Sequence, residues 1–300
     1  MSNAHSSPLP PLPPTISLPT FKVTATPTGT IQVPPSACFY YAGIQSVWVY
    51  WAVDLPILEQ YLTPLGMTPA NFGGMGAVGI NFFNAVALYG QGQPGNPGAS
   101  GFNETELNIL AYPSNQAANV PVMSFADFVT NGDQTKRIGA YRVWVACDNA
   151  LAVAAGQQVY FENKFLTAYT YNVPALNNPG QSLYTWTCHD PNDETQNIYQ
   201  AQVSLSGLNP VPGNMSEWID LSYVASEKRV AGSRRNYLGM YNTYFIPQAN
   251  HNAVTVSMGS SSHPMRADMQ KLIGNRQAAA VQVFQSPACI AEARTYWADL

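Results

Sequence analysis

The stretch Gly139-Ala-Tyr-Arg-Val-Trp-Val-Ala-Cys-Asp-Asn-Ala-Leu-Ala-Val-Ala-Ala-Gly-Gln-Gln-Val-Tyr-Phe-Glu-Asn-Lys164-Phe165 opens at a glycine and closes on a lysine set among aromatics. Between Ala146 and Ala175 Lys164 is the sole basic residue; Tyr160, Phe161 and Phe165 stand beside it, and Tyr169 and Tyr171 follow. Burial strips an ammonium of its water and lowers its pKa. An amine that is neutral near pH 7 attacks carbonyl carbons. The alternative is a lysine that buries only its stem and keeps its charge in solvent.

Gly139, Tyr141, Asp148-Asn149, the small residues Ala152 to Ala155, Gly156 and Lys164 follow one another at a specific spacing. The stretch resembles the active-site segment of the acetoacetate decarboxylase superfamily. There a Gly-x-Tyr opens an apolar strand, a small-residue turn follows, and the Schiff-base lysine comes eight residues after a second glycine. Lys164 stands eight residues after Gly156. Val47 to Pro64 resembles the family's opening strand and following helix. Val254-Thr255-Val256 and Ile290 to Leu300 resemble its last strand and terminal helix. The resemblance implies a mainly β (α+β) fold of curved antiparallel sheets forming a cone or barrel with peripheral helices. It also implies a lysine deep in an apolar cavity, a keto acid substrate and a homo-oligomer.

The imine mechanism needs no cofactor, and the expected metal is none. Lysine attacks a ketone, water leaves, and the protonated imine becomes an electron sink. Loss of CO₂ from the adjacent carbon is decarboxylation; loss of a proton gives an enamine that attacks an aldehyde. With a pKa of about 10.4, a lysine is neutral in only about 0.04% of molecules at pH 7, so a drop of about three to four pH units is required. Acetoacetate decarboxylase is itself the known example of a lysine so lowered, and the size of that drop is taken from it.

The chain departs from the family pattern at several positions. Phe165 replaces the usual second lysine, Asn163 replaces a proline, and Gln157-Gln158 replaces Arg-Glu after Gly156. The arginine of the first strand falls at about Gly43. Burial rather than a neighbouring cation must then lower Lys164. Phe102-Asn103-Glu104 fits the family's aromatic-x-Glu motif, whereas Glu106 fits the spacing into the next strand; both point the same way on a strand. Glu104 and Glu106 are the candidate proton carriers beside Lys164. Glu162 shares the face of Lys164 if that segment is extended, and pairing would raise the amine's pKa. Tyr141, Arg142, Tyr160, Phe161 and Phe165 are the candidate substrate-binding residues, with Arg142 the candidate anchor for a carboxylate.

Composition fits one enzyme-sized body, with a Pro-rich arm at 1–20 and a single domain over 21–300. Charged residues make up 10% of the chain, against about a quarter in a typical globular protein, which suggests much buried surface. A net charge of −4 without a basic cluster argues against nucleic acid. Lys228-Arg229 and Arg234-Arg235 read as a solvated face. No run reaches the roughly 18 apolar residues of a membrane span, and no signal peptide is visible, so a cytoplasmic protein is expected. Cys38, Cys147, Cys188 and Cys289 form no Cys-x-x-Cys pair and read as free thiols. His189-Asp190 with Asp193-Glu194 reads as a turn rather than a metal site.

Strands are expected at Gln45–Val53, Ala77–Tyr89, Leu107–Tyr112, Tyr141–Ala146, Gln158–Phe161, Thr167–Val173, Leu183–Cys188, Ile198–Leu205, Val254–Met258 and Ala279–Phe284. Helices are expected at Leu55–Leu62, Ala146–Ala155, Met215–Val224 and Pro287–Leu300, and a loop at Gln91–Gly101. The preferred function is decarboxylation of a β-keto acid larger than acetoacetate. An aldolase-dehydratase using the same lysine on a keto acid such as pyruvate is the alternative, and a non-catalytic ligand-binding protein is a third.

Overall fold

The structure is a computed structural model and describes residues 24–25, 31–32, 39–88, 99–174, 182–213, 217–236, 240–286, 290–292 and 296–299. The Pro-rich arm, most of the expected 91–101 loop, Cys38 and Cys289 lie outside these residues.

A short ribbon of β1 (Thr24–Ala25) and β2 (Ile31–Gln32) precedes β3 (Phe39–Asp54), helix α1 (Leu55–Leu62), β4 (Met67–Pro69), β5 (Met75–Leu88) and β6 (Ala99–Pro113). Helix α2 (Phe125–Asn131), β7 (Gly139–Cys147), helix α3 (Ala150–Val159), β8 (Lys164–Leu166) and β9 (Tyr169–Asn172) follow. The chain continues through β10 (Leu183–His189), β11 (Asn197–Ser204), β12 (Val211–Gly213), β13 (Glu217–Val224), β14 (Arg229–Asn236) and β15 (Tyr241–Phe245). It closes with β16 (Val254–Met258), helix α4 (Pro264–Leu272), β17 (Ala280–Ser286), β18 (Ile290–Glu292) and β19 (Tyr296–Trp297).

Among the described residues the larger sheet has thirteen strands, in the order β12-β15-β17-β3-β18-β14-β13-β7-β6-β4. Strand β5 pairs with β3 and β6, β8 with β7, and β19 with β14. A smaller sheet runs β16-β11-β10-β9. The mainly β expectation holds, with one correction: the large sheet is mixed, because β7 runs parallel to β13 and to β8. Its pairings run β3-β18-β14-β13-β7-β6-β5 and back to β3, a ring of curved strands from which the others branch.

The run Val47-Trp48-Val49-Tyr50-Trp51 is apolar without alternation because β3 is buried on both faces. Val47, Val49 and Trp51 pack on the layer containing the small sheet and α4, whereas Trp48 and Tyr50 pack on the layer containing α2 and α3. The candidate site lies on this second face.

Several element expectations are corrected. Residues 217–224 form β13 rather than a helix: Trp218, Asp220 and Ser222 face one way and Ile219 and Leu221 the other, a period of two. The described parts of 287–300 are β18 and β19, whose backbones pair with β3 and β14. Residues 158–159 extend α3 rather than starting a strand, and that helix begins at Ala150 because Ala146 and Cys147 pair with β6. Helices α2 and α4 were not expected; Ser124 and His263 cap them. Among the described residues no helix is long and apolar enough to cross a membrane.

Candidate active site

Strand parity brings the polar groups together. Glu104 and Glu106 point to the same face of β6, opposite Cys147 and Val145 of β7. Lys164 of β8 pairs with Val145 and so shares that face. Arg142, three residues before Val145, would face the other way on a regular strand. A bulge at Val143 corrects the parity: Leu107 pairs with Trp144 while Asn108 pairs with Arg142. Parallel pairing of Asp220 with Ala140 adds Asp220, and its partner strand β14 adds Arg235.

The result is a buried ion cluster. Lys164 Nζ donates to Glu104 Oε2 and lies 3.3 Å from Glu162 Oε2. Arg142 Nη1 pairs with Glu162 Oε1, and its Nη2 reaches Glu106 Oε1 at 2.9 Å and Asp220 Oδ2 at 2.7 Å. Arg235 Nη2 lies 2.9 Å from Glu106 Oε1 and 3.1 Å from Asp220 Oδ2. Behind these, Asn81 Nδ2 donates to Glu106 Oε2 at 2.9 Å, and Ser46 Oγ donates to Asn81 Oδ1 at 2.7 Å. Among the described residues the cluster holds four carboxylates, Glu104, Glu106, Glu162 and Asp220, and three cations.

Helix α3 positions the lysine. Asn149 Oδ1 accepts from the N–H groups of Leu151 and Ala152, starting the helix. The helix ends in a turn in which the N–H groups of Tyr160 and Glu162 both donate to Gly156 O, and Phe161 takes a left-handed φ of 56°. Gln157 Nε2 then fixes the Lys164 carbonyl at 2.6 Å. A Cβ on Gly156 would collide with Glu162 Oε2 and Lys164 Cδ, so glycine is what lets the helix lie directly on the lysine. At the other end of α3, Asp148 accepts from Asn103, fixing the neighbour of Glu104.

Glu104, Arg142, Glu162, Lys164 and Arg235 line a cavity of about 20 Å³, walled also by Tyr41, Phe102, Ala152, Gly156 and Tyr160. That is room for one water. Tyr141 and Phe165 point to the opposite face: Phe165 lies on His263, with ring centroids 4.1 Å apart, and Tyr141 packs in the other core layer. Phe161 is 39% exposed and lines an outer groove with Ala231, Tyr296 and Trp297. These three sequence candidates therefore lie outside the cavity, while Arg142 and Tyr160 lie in it.

Burial alone would drive Lys164 towards neutrality, but the ion pair with Glu104 outweighs it and raises its pKa. This corrects the expectation of an amine already poised neutral. Burial, reinforced by Glu106, raises the Glu104 carboxyl against the pull of Lys164 and Arg142. Burial acts on Glu106 too, but Arg142, Arg235 and the Asn81 hydrogen bond hold it at about 2. Glu106 is thus a fixed anion that orients the arginines, and Glu104 is the carboxyl able to exchange a proton with Lys164.

Sequence reasoning missed Asp220 and Arg235. Arg235 was expected to be solvated but is 2% exposed, whereas Arg234 faces out over Tyr296. Val230 to Ser233 are all buried, so burial on β14 does not alternate until Arg234 and Arg235, and the sequence carries no mark of which arginine turns inward. The 189–194 segment is a turn as expected, Asp190 accepting from Asn192 and Asp193 from Thr195.

No protein-family model and no curated protein matches the chain by sequence. Among solved structures, it is similar to the enduracididine biosynthesis enzyme MppR complexed with pyruvate, at a TM-score of 0.60 and 14% identity over 91% of this chain and 95% of that one. MppR complexed with the condensation product of pyruvate and imidazole 4-carboxaldehyde gives a TM-score of 0.57 at 13% identity, covering 87% and 89%. An acetoacetate decarboxylase from Legionella pneumophila gives 0.54 at 8% identity, covering 87% of each chain. The chain has the acetoacetate decarboxylase-like fold.

Proposed function

We propose that this chain is an enzyme that forms an imine between Lys164 and a keto acid. Glu104 is its proton carrier, and Arg142 with Arg235 provides the positive charge that holds the substrate carboxylate. The observation that carries this is the meeting of one lysine, one proton-exchanging carboxyl and two arginines in a single buried cavity. A fold shared with a pyruvate-bound enzyme supports it.

Lys164 passes a proton to Glu104, and its free electron pair forms a bond to the ketone carbon. The ketone oxygen takes one proton from the attacking nitrogen and one from Glu104 and leaves as water, giving the protonated imine. A C–H proton on the adjacent carbon then goes to a carboxylate, and its electrons flow to the imine nitrogen, giving a neutral enamine. The enamine carbon bonds to the aldehyde carbon while the carboxyl returns its proton to the aldehyde oxygen, and water adds to the resulting iminium to release the product and the amine.

Retention of the substrate carboxylate requires a cationic anchor, and two buried arginines in the cavity favour carbon–carbon bond formation over the decarboxylation preferred from sequence. Decarboxylation of a β-keto acid stays as a second reading because Tyr41, Phe102 and Ala152 make one wall apolar, where a carboxylate readily leaves as CO₂. The experiment is pyruvate with a panel of aldehydes beside a β-keto acid series, followed by product mass and CO₂ release. Aldehyde-dependent product without CO₂ is expected; CO₂ release without aldehyde consumption would favour the second reading.

A further inference from the structure

A 2-keto acid carries its carboxylate on the very carbon that the amine attacks. That carboxylate must therefore reach an arginine of the cavity while lying beside Lys164 Nζ. One carboxylate in the structure already does both: Glu162 pairs with Arg142 Nη1 through Oε1, and its Oε2 lies 3.3 Å from Lys164 Nζ. Its side chain is only 2% exposed and lines the cavity. The space left, about 20 Å³, holds one water and no keto acid. Glu104, by contrast, bonds Lys164 but makes no hydrogen bond or ion pair with Arg142 among those described.

We propose that Glu162 occupies the position of the substrate carboxylate and acts as an internal competitor, which must leave Arg142 and Lys164 before a keto acid binds. Its backbone is set by the Gly156 turn, and the missing side chain of Gly156 makes the space its carboxylate fills. Displacement exchanges one anion for another, so the charge of the cluster is conserved through binding. Occupancy of the closed arrangement lowers the apparent affinity by the fraction of molecules in the open one. Glu162 is on this account a positioning residue that sets both substrate affinity and the protonation of Lys164. Among the described residues Glu104, Glu162, Cys147 and Arg142 are the charged or titratable groups that act on that amine.

The inference rests on the keto acid reading of this site, but its test does not need imine formation. Wild type, Glu162→Gln and Glu162→Asp are compared by the rate at which a neutral activated aryl ester acylates Lys164, followed by peptide mass against pH. Acetate, an anion without a ketone, is titrated as a protecting ligand. In Glu162→Gln the midpoint of acylation should fall by about one pH unit. Acetate should protect at about tenfold lower concentration, as expected if about a tenth of wild-type molecules are open. Glu162→Asp keeps the charge for Arg142 on a shorter arm, and its midpoint should also fall. A cooperatively folded Glu162→Gln with an unchanged midpoint, or with unchanged or weaker acetate protection, overturns the proposal. If Glu162→Gln does not fold, an unchanged midpoint in Glu162→Asp overturns it. Failure of keto acids to form an adduct in wild type would instead count against the imine reading alone.

Discussion

Glu106→Gln tests whether the arginines are held by a permanently ionised carboxylate. The substitution keeps the shape of the side chain and removes the charge facing Arg142 and Arg235, each 2.9 Å away. Glu106 falls from an ordinary 4.5 to about 2 in the folded protein. At about 1.4 kcal/mol per pH unit that is a contribution of about 3 kcal/mol, in line with the roughly 3–5 kcal/mol cost of breaking a buried pair. Because the folded pKa is depressed, this stability is present above the unfolded value near 4.5 and is lost as pH falls towards about 2. Urea unfolding at pH 7, 5 and 3 should show Glu106→Gln less stable than wild type by about 3 kcal/mol at pH 7. The gap should narrow between pH 5 and 3, because Glu106 in the unfolded wild type takes up a proton there while the folded pair stays ionised, and the variant has no such group. A gap under about 1 kcal/mol at pH 7, or one that persists unchanged at pH 3, would refute the assignment.

Gly156→Ala should gain helix propensity of about 1 kcal/mol yet lose at least about 100-fold in activity, because its Cβ drives Lys164 and Glu162 out of place. A folded, fully active Gly156→Ala would show that the contact of α3 with the lysine is unimportant; circular dichroism with product assay decides. The low charge content predicts a homo-oligomer, so light scattering at micromolar concentration should exceed the 32.5 kDa of one chain at least twofold. A monomer would leave that composition unexplained.

The strand-rich fold and the lysine were legible because their signals are local. Val47 to Trp51 is apolar enough to mark a doubly buried strand, and the interval from Gly156 to Lys164 spans one helix end and one turn. Glu104 was legible for the same reason, from Phe102-Asn103-Glu104. What was hidden depends on pairing between distant strands. Asp220 lies 78 residues from Arg142, and reading 215–224 as a helix concealed the face it shares with Trp218. The bulge at Val143, which turns Arg142 towards Lys164, leaves no mark in composition. Phe161 in a left-handed turn is equally unmarked, since glycine is the residue expected at such a φ. Lys164 itself looked destined for neutrality because the aromatics are adjacent in sequence, whereas Glu104, which reverses that, comes from a strand 60 residues away.

The most direct test is covalent. Wild-type protein incubated with pyruvate, acetoacetate and larger keto acids is reduced with sodium borohydride, which adds hydride to an imine carbon and fixes the adduct, and the modified peptide is identified by mass. An adduct on Lys164 is expected, formed faster as pH rises because the amine's pKa is raised and it must first be deprotonated. Lys164→Ala should give none, and Lys164→Arg should not restore it, since a guanidinium stays protonated. No adduct with any of these keto acids, or an adduct on another lysine that persists in Lys164→Ala, would contradict the central claim.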